Sequence, residues 1–203
     1  MLRKIENLIN LILDLAGKIA TLLLIVLVGV ISYNVIGRYA FNSSSIGLEE
    51  LAWHLYSSIF LLGISYAVRT SSHVRVDLIY DFLKPRTQAY IDIIGTCVFM
   101  LPLAALVLVF GTDFAYQSYS FGPHADSIGG LVNQFLTTGI GERSQDPGGL
   151  NNRFVIKSVI PLAFLLLMLS AVSVLINRVR FLRTHPVGAI VTPSQSAVDG
   201  DIK

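Results

Sequence analysis

The chain has 203 residues, of which 53% are hydrophobic, and its mean hydropathy is +0.66. This composition is typical of a membrane protein rather than of one or two soluble domains. The net charge of only +2 gives no basic surface for binding nucleic acid. The single cysteine, Cys97, excludes an internal disulfide and a cysteine-based metal cluster.

Four apolar runs without Asp, Glu, Lys or Arg dominate the sequence. They cover residues 19–37, 51–68, 93–111 and 158–177. Each has about 18–20 residues, the length with which an α-helix crosses the roughly 30 Å hydrocarbon core. We therefore predict an all-α membrane protein with four transmembrane helices and short interfacial helices. Membrane transporters usually mark their pathways with buried ionisable residues, so these uncharged runs predict a chain that moves no solute alone.

Lysine and arginine residues are distributed unequally between the two sides of this arrangement. Eleven of the 15 lie in the N-terminal segment, the connection between the second and third runs, and the C-terminal tail. The opposite side has four, namely Arg38, Arg143, Arg153 and Lys157. The positive-inside rule therefore predicts that both termini are cytoplasmic.

Residues 1–18 read as an amphipathic helix that lies on the membrane. Arg3, Asn7, Asn10, Asp14 and Lys18 recur at helical spacing and leave an apolar opposite face. Membrane anchoring and docking to a partner subunit are both open for this segment. Because Asp14 and Lys18 interrupt the apolar stretch and no clean cleavage site follows, we expect it to be retained rather than removed as a signal peptide.

The remaining segments flank a transmembrane domain over residues 19–180. Residues 69–84 predict a short interfacial helix that stops before Pro85. The outer loop, residues 112–157, contains apolar residues at helical spacing, which predict a surface-lying helix. These are Ile128, Leu131, Val132, Phe135 and Leu136. Residues 181–203 form the tail, which is polar, small and proline-containing from His185 onward and is expected to be disordered.

No pattern in the chain indicates catalysis or a bound cofactor. A membrane-embedded haem with two axial ligands needs them on facing helices, but His54 is the only histidine inside any run. Gly139-Ile140-Gly141 follows no strand and opens no βαβ unit, so it is not a dinucleotide motif. We therefore predict no enzyme activity, no cofactor and no metal site.

The charges concentrate at two membrane edges. Arg38 with Glu49 and Glu50 marks the outer edge, and Arg69, His73 and Asp77 mark the inner one. Ordinary snorkelling and exposed pairing, worth less than about 1 kcal/mol per pair, would explain both clusters. Pairing with another subunit is the functional alternative. In the second run, Gly63 and Ala67 are spaced so that another helix could approach closely.

The same residues carry a resemblance to a known family. Arg38-Tyr39-x-Phe41, Glu49-Glu50-Leu51, Gly63, Arg69 and His73-Val74-Arg75-Val76-Asp77 follow one another in the order and spacing of a DctQ-type subunit. The chain thus resembles the small membrane subunit of tripartite ATP-independent periplasmic (TRAP) transporters, over about residues 15–110, with the four-span layout extending to about 180. The outer-loop stretch 142–150 resembles a branch with an extended third loop. One departure is Leu48, where many members have Trp.

The resemblance implies receptor-dependent uptake of an organic-acid-like solute across the bacterial inner membrane, driven by a sodium gradient. The implied partners are a periplasmic solute-binding receptor and a large many-spanning subunit, for which this chain would be the scaffold. Ser32, Asn34, Gly63, Ala67, Ser170 and Ser173 are then candidates for close helix contact. Residues 112–157 are the candidate surface for the receptor. The alternative is a stand-alone small membrane oligomer, or a membrane anchor of an electron-transfer complex.

Overall fold

The computed structural model describes residues 2–70, 83–125 and 127–184, and this part of the chain is helical with irregular connections. The elements are α1 (Leu2–Phe41), α2 (Ile46–Arg69), α3 (Pro85–Gly95), a π-helical segment (Thr96–Met100), α4 (Leu101–Tyr119), α5 (Ile128–Thr137) and α6 (Phe154–Thr184). Helix α3, the π-helical segment and α4 run on as one rod, which we call the third span. Four helical stretches are long and apolar enough to cross a membrane: Glu6–Phe41, Ile46–Val68, Pro85–Tyr119 and Phe154–Thr184. The predicted all-α class with four spanning helices is confirmed.

Each observed span contains one predicted run and extends beyond it. The hydropathy pattern detects only the apolar middle of a helix, whereas the backbone continues through polar and aromatic flanks. At the C-terminus, α6 continues to Thr184, four residues into the segment expected to be a disordered tail. Residues 185–203, and residues 71–82 of the predicted interfacial helix, lie outside the described part.

The N-terminal segment differs from the expectation of a separate helix over residues 1–18. Helix α1 runs without a break from Leu2 to Phe41. Two of its polar residues contact α6: Ser173 Oγ donates to Asn10 Oδ1 at 3.3 Å, and Arg180 Nη2 lies 2.5 Å from Glu6 Oε2. The residues that α1 buries in the bundle are apolar, namely Ile9, Leu13, Ala16 and Ala20. Apolar side chains on the other side are exposed, namely Leu8, Leu11, Ile12 and Leu15. Polar groups near hydrocarbon are stabilised by polar partners, which explains the contacts of Glu6 and Asn10 with α6.

The third span has a local irregularity that its proline explains. Pro102 has no backbone N–H and its ring crowds the preceding turn of a regular helix. Just before it, the chain widens into the π-helical segment, and Leu101 N–H donates to Thr96 O, five residues back. Such a π-bulge lets the helix pass a proline without ending.

Helix α6 is the centre of the bundle. It contacts α1, α2 and the third span, and it is the most buried of the four spans. The residues it buries most completely are small: Ala163, Ser170, Ala171 and Ser173. Small residues let helix backbones approach closely where lipid provides no hydrophobic driving force. Ser170 and Ser173 therefore serve close contact inside this chain, whereas Ser32 is exposed and Asn34 is half-buried.

The bundle has two ends, the loop end and the terminus end. The loop end holds residues 38–50, the C-terminal turns of α4, residues 120–125 and 127–153, and the start of α6. The terminus end holds the first turns of α1, the start of α3 and the last turns of α6. Ionic contacts occur at both ends of the described structure.

The packing of α4 on α6 predicts the effect of a larger residue at Gly111. A Cβ atom there would already lie 3.4 Å from Ile160 Cγ2 and 3.5 Å from Pro161 Cδ, so a leucine must displace α6. We expect Gly111→Leu to lower the free energy of unfolding by about 1–3 kcal/mol, the usual cost of overpacking. Unfolding in mixed SDS micelles, followed by fluorescence of Trp53, measures it.

The matched control is Gly29→Leu on α1, where an added Cβ atom meets no atom within 4 Å. It should leave stability within about 0.5 kcal/mol of the wild-type value, as for ordinary surface changes. Equal destabilisation by both variants would contradict the assigned contact between α4 and α6.

Candidate functional site

The outer loop folds back onto the ends of the helices through two glycines with left-handed backbone. Gly141 has φ +68°, and a Cβ atom there would lie 2.3 Å from the Ser118 carbonyl oxygen. Gly139 has φ +80°, and its Cβ atom would lie 2.6 Å from Asn151 Cβ. Only glycine allows both the dihedral angle and the close approach. The Gly139-Ile140-Gly141 stretch is therefore a structural turn that seats the loop on α4.

Glu50 is the main anchor between the loop and α2. Its carboxylate accepts a hydrogen bond from Ser144 Oγ at 2.5 Å and from Leu150 N–H at 2.6 Å. Arg153 Nη2 lies 3.3 Å from the same carboxylate, whose side chain is only 12% exposed. Charge-assisted hydrogen bonds to a shielded carboxylate are among the stronger polar contacts in proteins. Three groups about 100 residues away in sequence are thereby fixed to the first turns of α2.

Glu142 makes the second anchor, to α4 and α6. Lys157 Nζ donates to its carboxylate, and Ser118 Oγ donates to it at 3.0 Å. The backbone is held too, because Glu142 N–H donates to Ser118 O at 2.9 Å. Lys157 Nζ also lies 4.2 Å from the centroid of the Phe114 ring, a cation–π distance. The hydrogen bond from Lys157 lowers the pKa of Glu142 below its ordinary value, although desolvation opposes the shift.

Arg38 and Glu49 form a separate and more exposed contact. They pair with each other across the turn between α1 and α2, with side chains 52% and 44% exposed. The predicted outer cluster of Arg38, Glu49 and Glu50 therefore divides into two parts. Glu49 makes a solvent-exposed pair of the kind that contributes little to stability, whereas its neighbour Glu50 organises the loop.

The helix predicted in the loop is present as α5. Its N-cap residue Ser127 accepts from Gly130 N–H at 3.1 Å. Gln134 holds the preceding turn by donating to Pro123 O at 2.8 Å, and Asn152 Nδ2 donates to Phe135 O at 3.0 Å. The apolar side chains on the outer face are exposed, namely Ile128, Val132 and Leu136. The loop is thus a folded surface rather than a flexible connection.

A cavity of about 700 Å³ lies between the loop and the end of α4. Phe114 and Phe121 give it aromatic walls, and Glu142 and Lys157 lie among its polar lining residues. Arg143 and Gln145 line it as well, and both are exposed at the surface. Its volume falls within the range of about 300–1,000 Å³ that is typical of small-molecule pockets.

The predicted small residues of α2 face an open side. Gly63 and Ala67 are half-buried, and an added Cβ atom at Gly63 would meet nothing within 4 Å. Nearer the loop end, a groove of about 510 Å³ lies between Phe60 of α2 and Ile160 of α6. No helix of this chain, among the described residues, fills the space beside Gly63.

The structure describes only one of the three predicted inner-edge residues. Arg69 is the last residue of α2, and His73 and Asp77 lie outside the described residues. The structure instead shows contacts that the sequence analysis missed: Arg178 Nε lies 2.7 Å from Asp92 Oδ2, and Arg180 pairs with Glu6. One feature of the sequence could have predicted these pairs: acidic and basic residues lie at the ends of different spans on the same side of the membrane.

Glu50 and Glu49 are adjacent in α2, and we expect their substitution by alanine to have different effects. Glu50→Ala should open the loop, because it leaves the Arg153 guanidinium and Leu150 N–H without their shielded partner, at a cost of about 3 kcal/mol. Hydrogen exchange should accelerate across residues 139–153 and hardly change in the spans. Glu49→Ala should cost less than about 1 kcal/mol, because that pair is exposed. Similar exchange rates in both variants would contradict the assigned role of Glu50.

The lowered pKa of Glu142 predicts acid sensitivity of the loop. A carboxylate whose folded-state pKa is depressed stabilises the fold above its ordinary pKa of 4.5, and this contribution is lost as the pH falls below that value toward the folded-state pKa. The difference in unfolding free energy between wild type and Glu142→Gln should therefore be largest at neutral pH and shrink below 4.5. Unfolding followed by Trp53 fluorescence at several pH values measures it. A difference independent of pH would rule out this ionic role.

Comparison with known proteins identifies the family of this chain. Residues 27–181 match the family described as tripartite ATP-independent periplasmic transporters, DctQ component. The chain is also similar to the sialic acid TRAP transporter permease protein SiaT of Haemophilus influenzae, with 29% identity over 119 residues. That match covers 56% of this chain and 18% of the relative, so the chain spans less than a fifth of the relative's length. The chain belongs to the DctQ family, the small membrane subunits of TRAP transporters, and is a transport component rather than an enzyme.

Proposed function

We propose that the chain is the scaffold of a TRAP transporter: it holds the large transport subunit in the membrane and does not itself carry solute. The observation that carries this proposal is the distribution of charge. Apolar runs without Asp, Glu, Lys or Arg make up the middle of all four spans. The ionic contacts recorded between described residues lie at the two ends. A solute or ion pathway usually requires ionisable or polar groups at membrane depth.

The orientation follows from the lysine and arginine distribution. The terminus end, with the larger number of basic residues, would face the cytoplasm, and the loop end would face the periplasm. The membrane would then be the bacterial inner membrane, because a TRAP receptor works in the periplasm. The Glu50 and Glu142 anchors would in this arrangement shape a periplasmic surface.

The open side of α2 is the candidate surface for the large subunit. Gly63 and Ala67 lie toward its terminus end, and exposed aromatic residues continue along α2 toward the loop end at spacings of three and four. These are Trp53, Tyr56 and Phe60. Small residues allow a partner helix to approach, and aromatic side chains provide contact area.

The folded outer loop is the candidate surface for the solute-binding receptor. It is held to α2, α4 and α6 through Glu50 and Glu142, so its shape is fixed before a partner arrives. A preformed surface avoids the ordering cost that a flexible loop would incur on binding. For the solute we propose an organic acid, and the relative named for sialic acid, itself a carboxylic acid, supports that class.

Reconstitution tests the scaffold proposal. Under mild detergent, a many-spanning subunit should co-purify with this chain, and proteoliposomes with both subunits should take up solute when receptor and an inward sodium gradient are present. Proteoliposomes with this chain alone should show no uptake above background. Transport by this chain alone, or its purification as a homo-oligomer without the large subunit, would contradict the proposal.

Gly63→Leu tests the α2 surface with a matched control. The leucine should disrupt co-purification with the large subunit while leaving the chain's own stability within about 0.5 kcal/mol, because the position is open in this chain. Gly29→Leu, at another open position on α1, should leave co-purification intact. Unchanged recovery of the large subunit with Gly63→Leu would contradict the assigned surface.

A further inference from the structure

Arg143 differs from the other cations of the loop end. Arg38 pairs with Glu49, Arg153 with Glu50 and Lys157 with Glu142. Within the described ranges, the Arg143 side chain forms no ion pair and no hydrogen bond, although acids such as Asp113 and Asp146 are present at the same end. It is the unpaired cation of the described loop end.

The backbone that carries Arg143 is held on both sides. Glu142 is fixed through its carboxylate and its N–H to α4 and α6. Ser144 is fixed through its hydroxyl to Glu50 and through its N–H to Leu150 O at 3.1 Å. The side chains of both neighbours are used inside the structure, whereas Arg143 between them is exposed. An exposed arginine would ordinarily be a solvated surface residue, but this one is placed at a defined position on an ordered loop.

Arg143 lines the cavity at the loop end. Arg143 and Gln145 line it together with the aromatic side chains Phe114 and Phe121. The Glu142 carboxylate in the lining is already neutralised by Lys157, so Arg143 gives the cavity an excess of positive charge among the described lining residues. A guanidinium matches a carboxylate with two parallel hydrogen bonds. An anion would complement this positive charge, and a carboxylate matches the geometry of the guanidinium.

We propose that Arg143 receives a carboxylate side chain of the solute-binding receptor when the receptor docks on the outer loop. This inference rests on the proposed function and names the chemistry of its receptor contact. Free solute is a less suitable ligand for this cavity. The helices next to the cavity continue into spans whose middle runs lack charged residues. A solute bound there would have no charged path onward, whereas a docked side chain needs none.

Binding of the receptor to the complete membrane complex tests this role. The complex of this chain with its large subunit is placed in nanodiscs, and solute-loaded receptor is titrated in low salt. Arg143→Gln should weaken docking about fivefold to tenfold and Arg143→Glu more strongly, with Arg143→Lys between wild type and Arg143→Gln. The differences should shrink at high salt, because an exposed contact is screened.

Asp146→Asn is the matched control in the same loop. It removes a nearby exposed charge of opposite sign and should leave affinity unchanged or slightly increased. Hydrogen exchange across residues 139–153 should match wild type in every variant, which separates loss of the cation from loss of the loop fold. A benzoylphenylalanine at position 145 should crosslink to the receptor near an acidic residue. Changing that acid to lysine should restore binding to the Arg143→Glu complex.

The outcomes separate this inference from the function on which it rests. If wild-type complex binds receptor and Arg143→Glu binds it equally well, the inference is wrong and the receptor surface lies elsewhere. If Arg143→Glu abolishes binding of free solute to the receptor-free complex while receptor affinity is unchanged, the cavity holds solute and the inference is also wrong. If the wild-type complex binds no receptor, the proposed docking function itself fails.

Discussion

The low polarity of the hydrocarbon core is the constraint on which the rest of this structure depends. It excludes uncompensated charge from the middle of the spans and concentrates ionic groups where the helices emerge. The chain satisfies this constraint with small residues at the centre of the bundle and carboxylates at its ends. Ala163 and Ala171 let the helices approach on α6, while Glu50 and Glu142 each gather several donors at the loop end.

The loop end shows how two carboxylates create a surface from a polar connection. Glu50 joins residues 144–153 to α2, and Glu142, just before that stretch, is itself joined to α4 and α6. Gly141 allows the backbone to pass close to Ser118, so that the Glu142 contacts can form. Each contact depends on the others, because a shielded carboxylate stabilises the fold only when its donors are in place. The ordered surface around Arg143 follows from this mutual dependence.

The fold was largely predictable from the sequence, because membrane spans obey two simple rules of length and polarity. All four runs and α5 followed from spacing and charge. For Arg38, pairing within the chain was one of the alternatives that the sequence left open. The different roles of Glu49 and Glu50 did not follow from the sequence, because adjacent helix positions point in different directions and the deciding partners lie about 100 residues away. The contacts of Glu6 and Asn10 with α6 were missed for a similar reason. An amphipathic pattern shows that two faces differ, but not whether the polar face meets water or another helix.

The central claim is that this chain is a fixed scaffold beside a moving partner. Its most direct test is a distance measurement between spin labels on a Cys97→Ser background. One pair, at positions 44 and 145, reports the loop end, and another, at positions 84 and 184, reports the terminus end. In the complete complex, our account predicts the same narrow distance distributions without ligands, with sodium, and with sodium, solute and receptor. A shift of either distribution beyond its own width during this cycle would show that the chain itself moves, and would contradict the scaffold role.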